Sequence, residues 1–253
     1  MNMVDKGLSG SSLKWIAIVT MLVDHIGAVV LTRMLLNYQY NETVSVSQEV
    51  YNVLYQIMYI TRMIGRVSFP IFCFLLVEGF LRTKNIFKYL LRLAIFTVIA
   101  EIPFDLAFSA RMVNWGYQNV MLTLLIGVLT MLGCSQIEKK CGDKKSLIVL
   151  LDAICVMVGM LAAYYLNTDY AHKGVACIMV LYFFRNNKWM QVMAGALSFC
   201  WEATAFLAFP FIGLYNGMRG MKLKYFFYLF YPIHLLVLHV LCVVMGIGSI
   251  SVV

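Results

Sequence analysis

Apolar runs of about twenty residues recur along this chain, and a run of that length crosses the hydrocarbon core of a bilayer as a helix. The first extends from Leu13 to about Leu36, and others run from Ile57 to Leu81, Tyr89 to Phe108, Val120 to Ile137 and Leu147 to Leu166. A shorter run from Gly174 to Phe184 follows, and a last one comes after Lys224. The stretch from Trp189 to Tyr215 reads either as one long span or as two short ones that break at Trp201-Glu202. The runs are continuous rather than alternating, so they imply helices and not the strands of a barrel. With 62% hydrophobic and 13% charged residues and a mean hydropathy of +0.83, the chain is no soluble domain with a single anchor. The expected fold is all-α: a polytopic helical membrane protein, one domain over residues 1–253, with a lipid bilayer as its solvent.

The net charge of +8 is spread in short clusters between the runs. Lys6 and Lys14 precede the first run, Arg82, Lys84, Lys88 and Arg92 follow the second, Lys139, Lys140, Lys144 and Lys145 follow the fourth, and Arg185 and Lys188 follow the sixth. All four clusters are cytoplasmic if the N-terminus is, so the bias is self-consistent for a multi-pass protein of a cell membrane with its N-terminus in the cytoplasm. Arg219, Lys222 and Lys224 join them only if Trp189 to Tyr215 crosses twice, giving about nine crossings within a range of about eight to ten. No basic stripe is interleaved with aromatics, so nucleic acid is not an expected partner. The seven cysteines never form a Cys-x-x-Cys pair, so neither a disulfide framework nor a metal site is expected. Residues Met1 to Ser12 lack the apolar core and cleavage site of a signal peptide, so the first span is expected to remain in the mature protein.

Against this apolar background the buried polar residues stand out. Asp24 and His25 lie roughly 15 Å along the first span from Lys14, close to the bilayer midplane. Arg66 falls part-way through the second span, Glu101 in the third with Asp105 one turn later, and His234 in the last. Acids, an arginine and two histidines brought to one level by four helices imply a polar cavity in mid-membrane. Pro70, Pro103 and Pro232 sit in the same spans and are expected to kink them. At the cytoplasmic rim Glu78 and Arg82 share a helix face at i, i+4. The Gly-flanked loop Tyr215-Asn216-Gly217-Met218-Arg219-Gly220 can hold phosphates through backbone N–H groups and Arg219. The stripe Asn119, Thr123 and Gly127 suits helix packing and ligand contact equally. The polar loop Asn167 to Gly174 suits an outer gate. The fifth span shows nothing distinctive.

Several of these runs carry a resemblance. Lys14 to Gly27 with its Asp24-His25, Ile64 to Pro70 and on to Val77-Glu78-Gly79-Phe80, and Glu101-Ile102-Pro103-Phe104-Asp105 resemble the TraX family. So do Asn119 to Gly127, Leu214 to Gly220, and Lys224 to Leu235, in the same order along nearly the whole chain. That family's founding members acetylate the N-terminal amine of a conjugative pilin, and it is similar to the transmembrane acyltransferases that use acetyl-CoA.

The resemblance implies an acetyltransferase that moves an acetyl group from cytoplasmic acetyl-CoA to an amine or hydroxyl of a membrane-associated acceptor. That acceptor is a pilin-like N-terminus, a peptide, a lipid or a glycan. CoA phosphates are expected at the rim, near Arg82 and Arg219 with Glu78 and Asn216. His25 is the expected general base with His234 second, and Asp24 or Glu101 orients the imidazole. Arg66 is expected either to neutralise Asp24 or to stabilise the oxyanion. The alternative is a proton-coupled small-molecule transporter or flippase, which buried acids and histidines also suit. No internal repeat supports it. An inert assembly subunit is a third reading.

Overall fold

The computed structural model describes residues 7–41, 44, 46–221 and 224–253, the last stretch without the Lys224 side chain. Lys6 and Lys222, counted above in the basic clusters, lie outside the described residues. Every regular element among the described residues is a helix.

Helix α1 spans Gly10–Tyr40. It begins at Ser9, whose hydroxyl accepts the Ser12 N–H at 3.2 Å and so satisfies one of the first-turn donors. Directly after His25 the helix widens into a π turn over Ile26–Leu31, a departure that single helices often show at functional positions.

The second apolar run becomes two helices, α2 (Gln48–Gly65) and α3 (Ser68–Arg82), separated by a turn at Arg66 and Val67. The helix starts well before Ile57. Ser47 caps it by accepting the Val50 N–H at 3.4 Å, and Glu49 sits in its first turn. Those polar signals fall outside an apolar window, which begins only at Ile57. Pro70 does not kink a span. It occupies the first turn of α3, where its missing N–H has no partner to lose. Pro103 and Pro232 do lie inside helices, in α4 (Ile86–Ser109) and α10 (Lys224–Val244).

Between these come α5 (Val120–Cys141), α6 (Lys145–Tyr165), α7 (Ala171–Phe183) and α8 (Lys188–Ser198), then a 3₁₀ turn at Ala205–Leu207 and the short α9 (Ala208–Gly213). The region Trp189 to Tyr215 is therefore broken at Trp201-Glu202. Five helical stretches among the described residues are long and apolar enough to cross a bilayer: Gly10–Tyr40, Gln48–Arg82, Val120–Cys141, Lys145–Tyr165 and Tyr225–Val244. Helix α4 has the length but carries Lys88, Arg92, Glu101 and Asp105 along it.

The chain forms two compact units: Met1–Ile71, Ile99–Asn114 and Glu202–Val253 in the first, and Phe72–Val98 and Trp115–Trp201 in the second. In the first, glycines set the distance between α1 and α2. A Cβ on Gly27 would collide with the Thr61 side chain, and one on Gly65 would occupy the position of the Asp24 carboxylate. The C-terminal end of α4 is closed by three hydrogen bonds. Fully buried Arg33 donates from Nη2 to the carbonyls of Leu106 and Ala107, each at 2.9 Å. The Val252 N–H reaches the Phe108 carbonyl at 2.8 Å. These are carbonyls that a helix end leaves without intrahelical donors, and a guanidinium also complements the dipole there.

In the second unit Asn119 caps α5, accepting the Met121 N–H at 2.9 Å, and its side-chain amide donates to the Thr97 carbonyl on α4 at 3.0 Å. Thr123 donates to the Asp169 carbonyl, and Gly127 seats Ile178. The stripe Asn119, Thr123 and Gly127 is thus used in capping and packing. The polar loop Asn167 to Gly174 is pinned by the same neighbourhood, through Gln118 N–H to Asn167 carbonyl at 2.9 Å and the Tyr117 hydroxyl to Asp169 at 2.8 Å.

The glycine at position 65 gives a test of the α1–α2 approach. Gly65→Ala forces the Asp24 side chain out of its place, and overpacking of this kind costs about 1–3 kcal/mol. Gly213, whose Cβ position has no heavy atom within 4 Å, is the control. In detergent, Gly65→Ala is expected to melt well below Gly213→Ala. Equal melting temperatures would refute the close approach.

Candidate active site

Asp24 and His25 are successive residues of α1, so their side chains leave the helix about 100° apart. Asp24 turns to α2, where Arg62 Nη1 donates to its Oδ2 at 2.5 Å. His25 turns to α10, where its Nδ1 lies 2.6 Å from His234 Nε2 with the two rings stacked at 4.9 Å. One helix therefore presents an ion-paired carboxylate to one neighbour and an imidazole to another.

The hydrogen bonds determine the tautomers of the neutral pair. His234 Nδ1 lies 2.7 Å from the Phe230 carbonyl, which has no proton to give, so Nδ1 carries the hydrogen. His234 Nε2 then offers a lone pair, and His25 Nδ1 must donate to it. The remaining nitrogen, His25 Nε2, is left as an unprotonated base. Aromatic rings hold the pair from the sides: Phe108 meets His25 edge-on at 5.8 Å, and Phe230 stacks on His234 at 4.9 Å. His25 is half-buried and His234 is buried.

The arginine expected to neutralise Asp24 has a different partner. Arg66 binds Glu202 through Nε at 2.7 Å, and Arg62, one turn earlier, takes Asp24. Arg66 ends α2 as its C-cap and belongs to the turn after it, which directs it toward the segment that follows Trp201. The same segment is tied to α2 by a hydrogen bond from the Thr204 hydroxyl to the Met63 carbonyl. Neither Arg62 nor Glu202 was singled out in the sequence. Arg62 was as visible as Arg66, one helical turn apart in the same apolar run, and only the packed helices show which arginine meets which acid.

Glu101 is half-buried on α4, two turns before the Phe108 that packs on His25. Asp105, on the same helix, turns away: its Oδ2 accepts the Asn114 N–H at 2.7 Å and closes the loop after α4. His239 also has a structural place, its Nδ1 lying 3.4 Å from Arg33 Nη1.

Glu78 and Arg82 make the expected i, i+4 pair at 2.7 Å, in the second unit. In the first unit the loop around Arg219 is zipped onto the start of α1. Leu8 N–H donates to Leu214 carbonyl at 2.8 Å, Asn216 N–H to Leu8 carbonyl at 3.0 Å, Gly10 N–H to Met218 carbonyl at 2.8 Å and Ser11 N–H to Arg219 carbonyl at 3.1 Å. Gly217 and Gly220 have φ of +81° and +71°, a region that suits glycine, and a Cβ on Gly220 would strike Ser9 and Ser11. Asn216 serves the loop itself, accepting the Met218 N–H at 3.0 Å. Its backbone so fixed, Arg219 keeps an exposed side chain that is an electrostatic neighbour of Lys14. Two cations at the N-terminal end of a long helix make this a corner that attracts anions.

The family model described as TraX protein matches residues 9–242, a range that includes Asp24, His25, Arg62, Arg66, Glu202, Arg219 and His234. A probable fimbrial assembly protein, FimC of serogroup H1, from Dichelobacter nodosus is 30% identical over 200 residues, 70% of this chain and 80% of that protein. No solved structure matches the chain. Since the family model covers nearly all of the sequence and every residue of the site just described, the chain belongs to the TraX family.

Proposed function

We propose that this protein is a membrane-embedded acetyltransferase, moving the acetyl group of cytoplasmic acetyl-CoA to an amine or hydroxyl of a membrane-associated acceptor. The observation that carries the reading is the relay Phe230 carbonyl–His234–His25, which leaves His25 Nε2 as the basic atom. As the acceptor nitrogen or oxygen attacks the thioester carbonyl, His25 Nε2 takes its proton. The tetrahedral intermediate then expels CoA, whose sulfur takes the proton back. His234 positions the base and stabilises the imidazolium by accepting its Nδ1–H. Arg66, oriented by Glu202, is the guanidinium assigned to the oxyanion, and the Asp24–Arg62 pair holds α1 against α2 beside it. The relative's printed association with fimbrial assembly supports a pilin-like N-terminus as the acceptor.

A transfer assay with labelled acetyl-CoA tests the chemistry. His25→Ala is expected to fold and bind acetyl-CoA but to lose about 10²–10⁴-fold in turnover, the usual cost of a lost general base. His234→Ala is expected to retain more activity, because it removes the positioning group and leaves the base. Full turnover in His25→Ala with a dead His234→Ala would move the base to α10. Full turnover in both would refute the relay.

The donor site is tested by binding. Arg219→Ala is expected to weaken acetyl-CoA binding by roughly 1.5–3 kcal/mol, the worth of a charged phosphate contact. Unchanged affinity in calorimetry with Arg219 replaced would exclude this loop from the donor site.

The same reading has about nine crossings of the bacterial inner membrane around a polar mid-membrane cavity, with the N-terminus cytoplasmic. Cysteines introduced at Met218 and Met221 are expected to react with an impermeant thiol reagent only after the cytoplasmic face is opened. Labelling in intact cells would replace this topology with the eight-crossing one.

A further inference from the structure

Helix α6 buries a narrow stripe. Asp152, Gly159 and Ala163 are its buried residues, at helical spacing on one face, and the others are half-buried or exposed. Small residues bring that face close to α5: Gly159 meets Thr130, and Gly133 of α5 meets Cys155. The lone carboxylate of α6 is thereby held between two helices, 7% exposed.

Its surroundings do not balance its charge. Asp152 Oδ1 has no hydrogen-bond partner among the described residues. The groups that face it are the fully buried Cys134 thiol, within hydrogen-bonding reach, Glu138 one turn further along α5, and Arg185 after α7. Arg185 is already engaged. Its Nη2 spans both Glu138 oxygens at 3.0 and 3.1 Å, its Nη1 donates to the Tyr182 carbonyl at 3.0 Å, and its guanidinium lies 4.0 Å over the Tyr182 ring. Lys139, Lys140 and Lys145 are exposed. Two carboxylates thus share one guanidinium, and with both ionised the cluster carries an excess negative charge inside a bilayer-spanning unit. Such a charge is neutralised rather than stranded.

We propose that Asp152 is a buried proton-binding site, holding one proton as a neutral carboxylic acid while Glu138 and Arg185 stay ion-paired beside it. The ligand is a proton and not a metal cation. Hard cations take six or more oxygens, and this site offers one unpartnered carboxylate oxygen beside a thiol. The site is independent of the acetyltransferase reading, and neither stands or falls with the other.

The test is modification by dicyclohexylcarbodiimide, an apolar reagent that reaches carboxyls within a bilayer. The acid's proton passes to a carbodiimide nitrogen while its oxygen adds to the central carbon, so an ionised, ion-paired carboxylate is inert. With the full chain in vesicles at neutral pH, mass spectrometry is expected to find the adduct at Asp152 and not at Glu138. Its rate should fall about tenfold per pH unit above the midpoint of the site. Asp152→Asn removes the adduct. Glu138→Gln is the informative variant, because it keeps Asp152 in place and frees Arg185 to balance it. Labelling of Asp152 at neutral pH should then drop by about fivefold or more as the carboxyl ionises. Absence of the wild-type adduct at Asp152 overturns the proposal, as does labelling unchanged by Glu138→Gln. Protection by sodium at constant pH and ionic strength would show a metal cation in place of the proton.

Discussion

A charge in hydrocarbon is stable only beside its counter-charge, and the ion pair between Asp24 and Arg62 shows how much of this fold follows from that. Asp24 sits in the middle of an apolar helix and reaches Arg62 because Gly65 leaves room for its carboxylate. The pair therefore sets the spacing and register of α1 against α2. With that register, the next residue along α1 has one direction left to face. His25 turns toward α10 and meets His234 at hydrogen-bond distance.

The other buried charges obey the same constraint in different ways. Arg66 is matched by Glu202, which ties the irregular segment after Trp201 to the end of α2. Arg33 has carbonyl oxygens in place of a carboxylate, and it closes the C-terminal turn of α4. In the second unit Glu138 and Arg185 form a pair on which a third charge, Asp152, encroaches. Two of these arrangements are balanced by side chains, one by helix carbonyls, and the last is short of a positive charge. That imbalance, rather than any motif, separates Asp152 from the structural ion pairs.

The histidine pair differs from all of them because it carries no obligatory charge. Two neutral imidazoles can be packed among Phe108, Phe230 and Tyr231 at modest desolvation cost, and their hydrogen bonds still select one tautomer each. A chain of donors that starts at a backbone carbonyl ends necessarily in a free lone pair. It is placed on the half-buried member of the pair, which is the geometry a base needs to meet a substrate. The nearby π turn and the internal Pro232 mark both helices of the pair as locally irregular.

The sequence by itself determined the all-helical class, the membrane as solvent, the family and the residues Asp24, His25 and His234, because apolar length and a charge inside it are properties of a local window. It also placed the break at Trp201-Glu202 as one of two readings. It missed the early start of α2, which depends on the Ser47 cap, and it passed over Asp152 as one acid in an undistinguished span. What only the tertiary structure decided was pairing: Arg62 rather than Arg66 for Asp24, Glu202 for Arg66, one histidine for the other, and nothing sufficient for Asp152. Depth along a helix can be counted from residue numbers, but which side chain faces which depends on the rotation and spacing of packed helices. Those are set by contacts between residues far apart in the chain, such as Gly65 with Asp24 and His25 with His234.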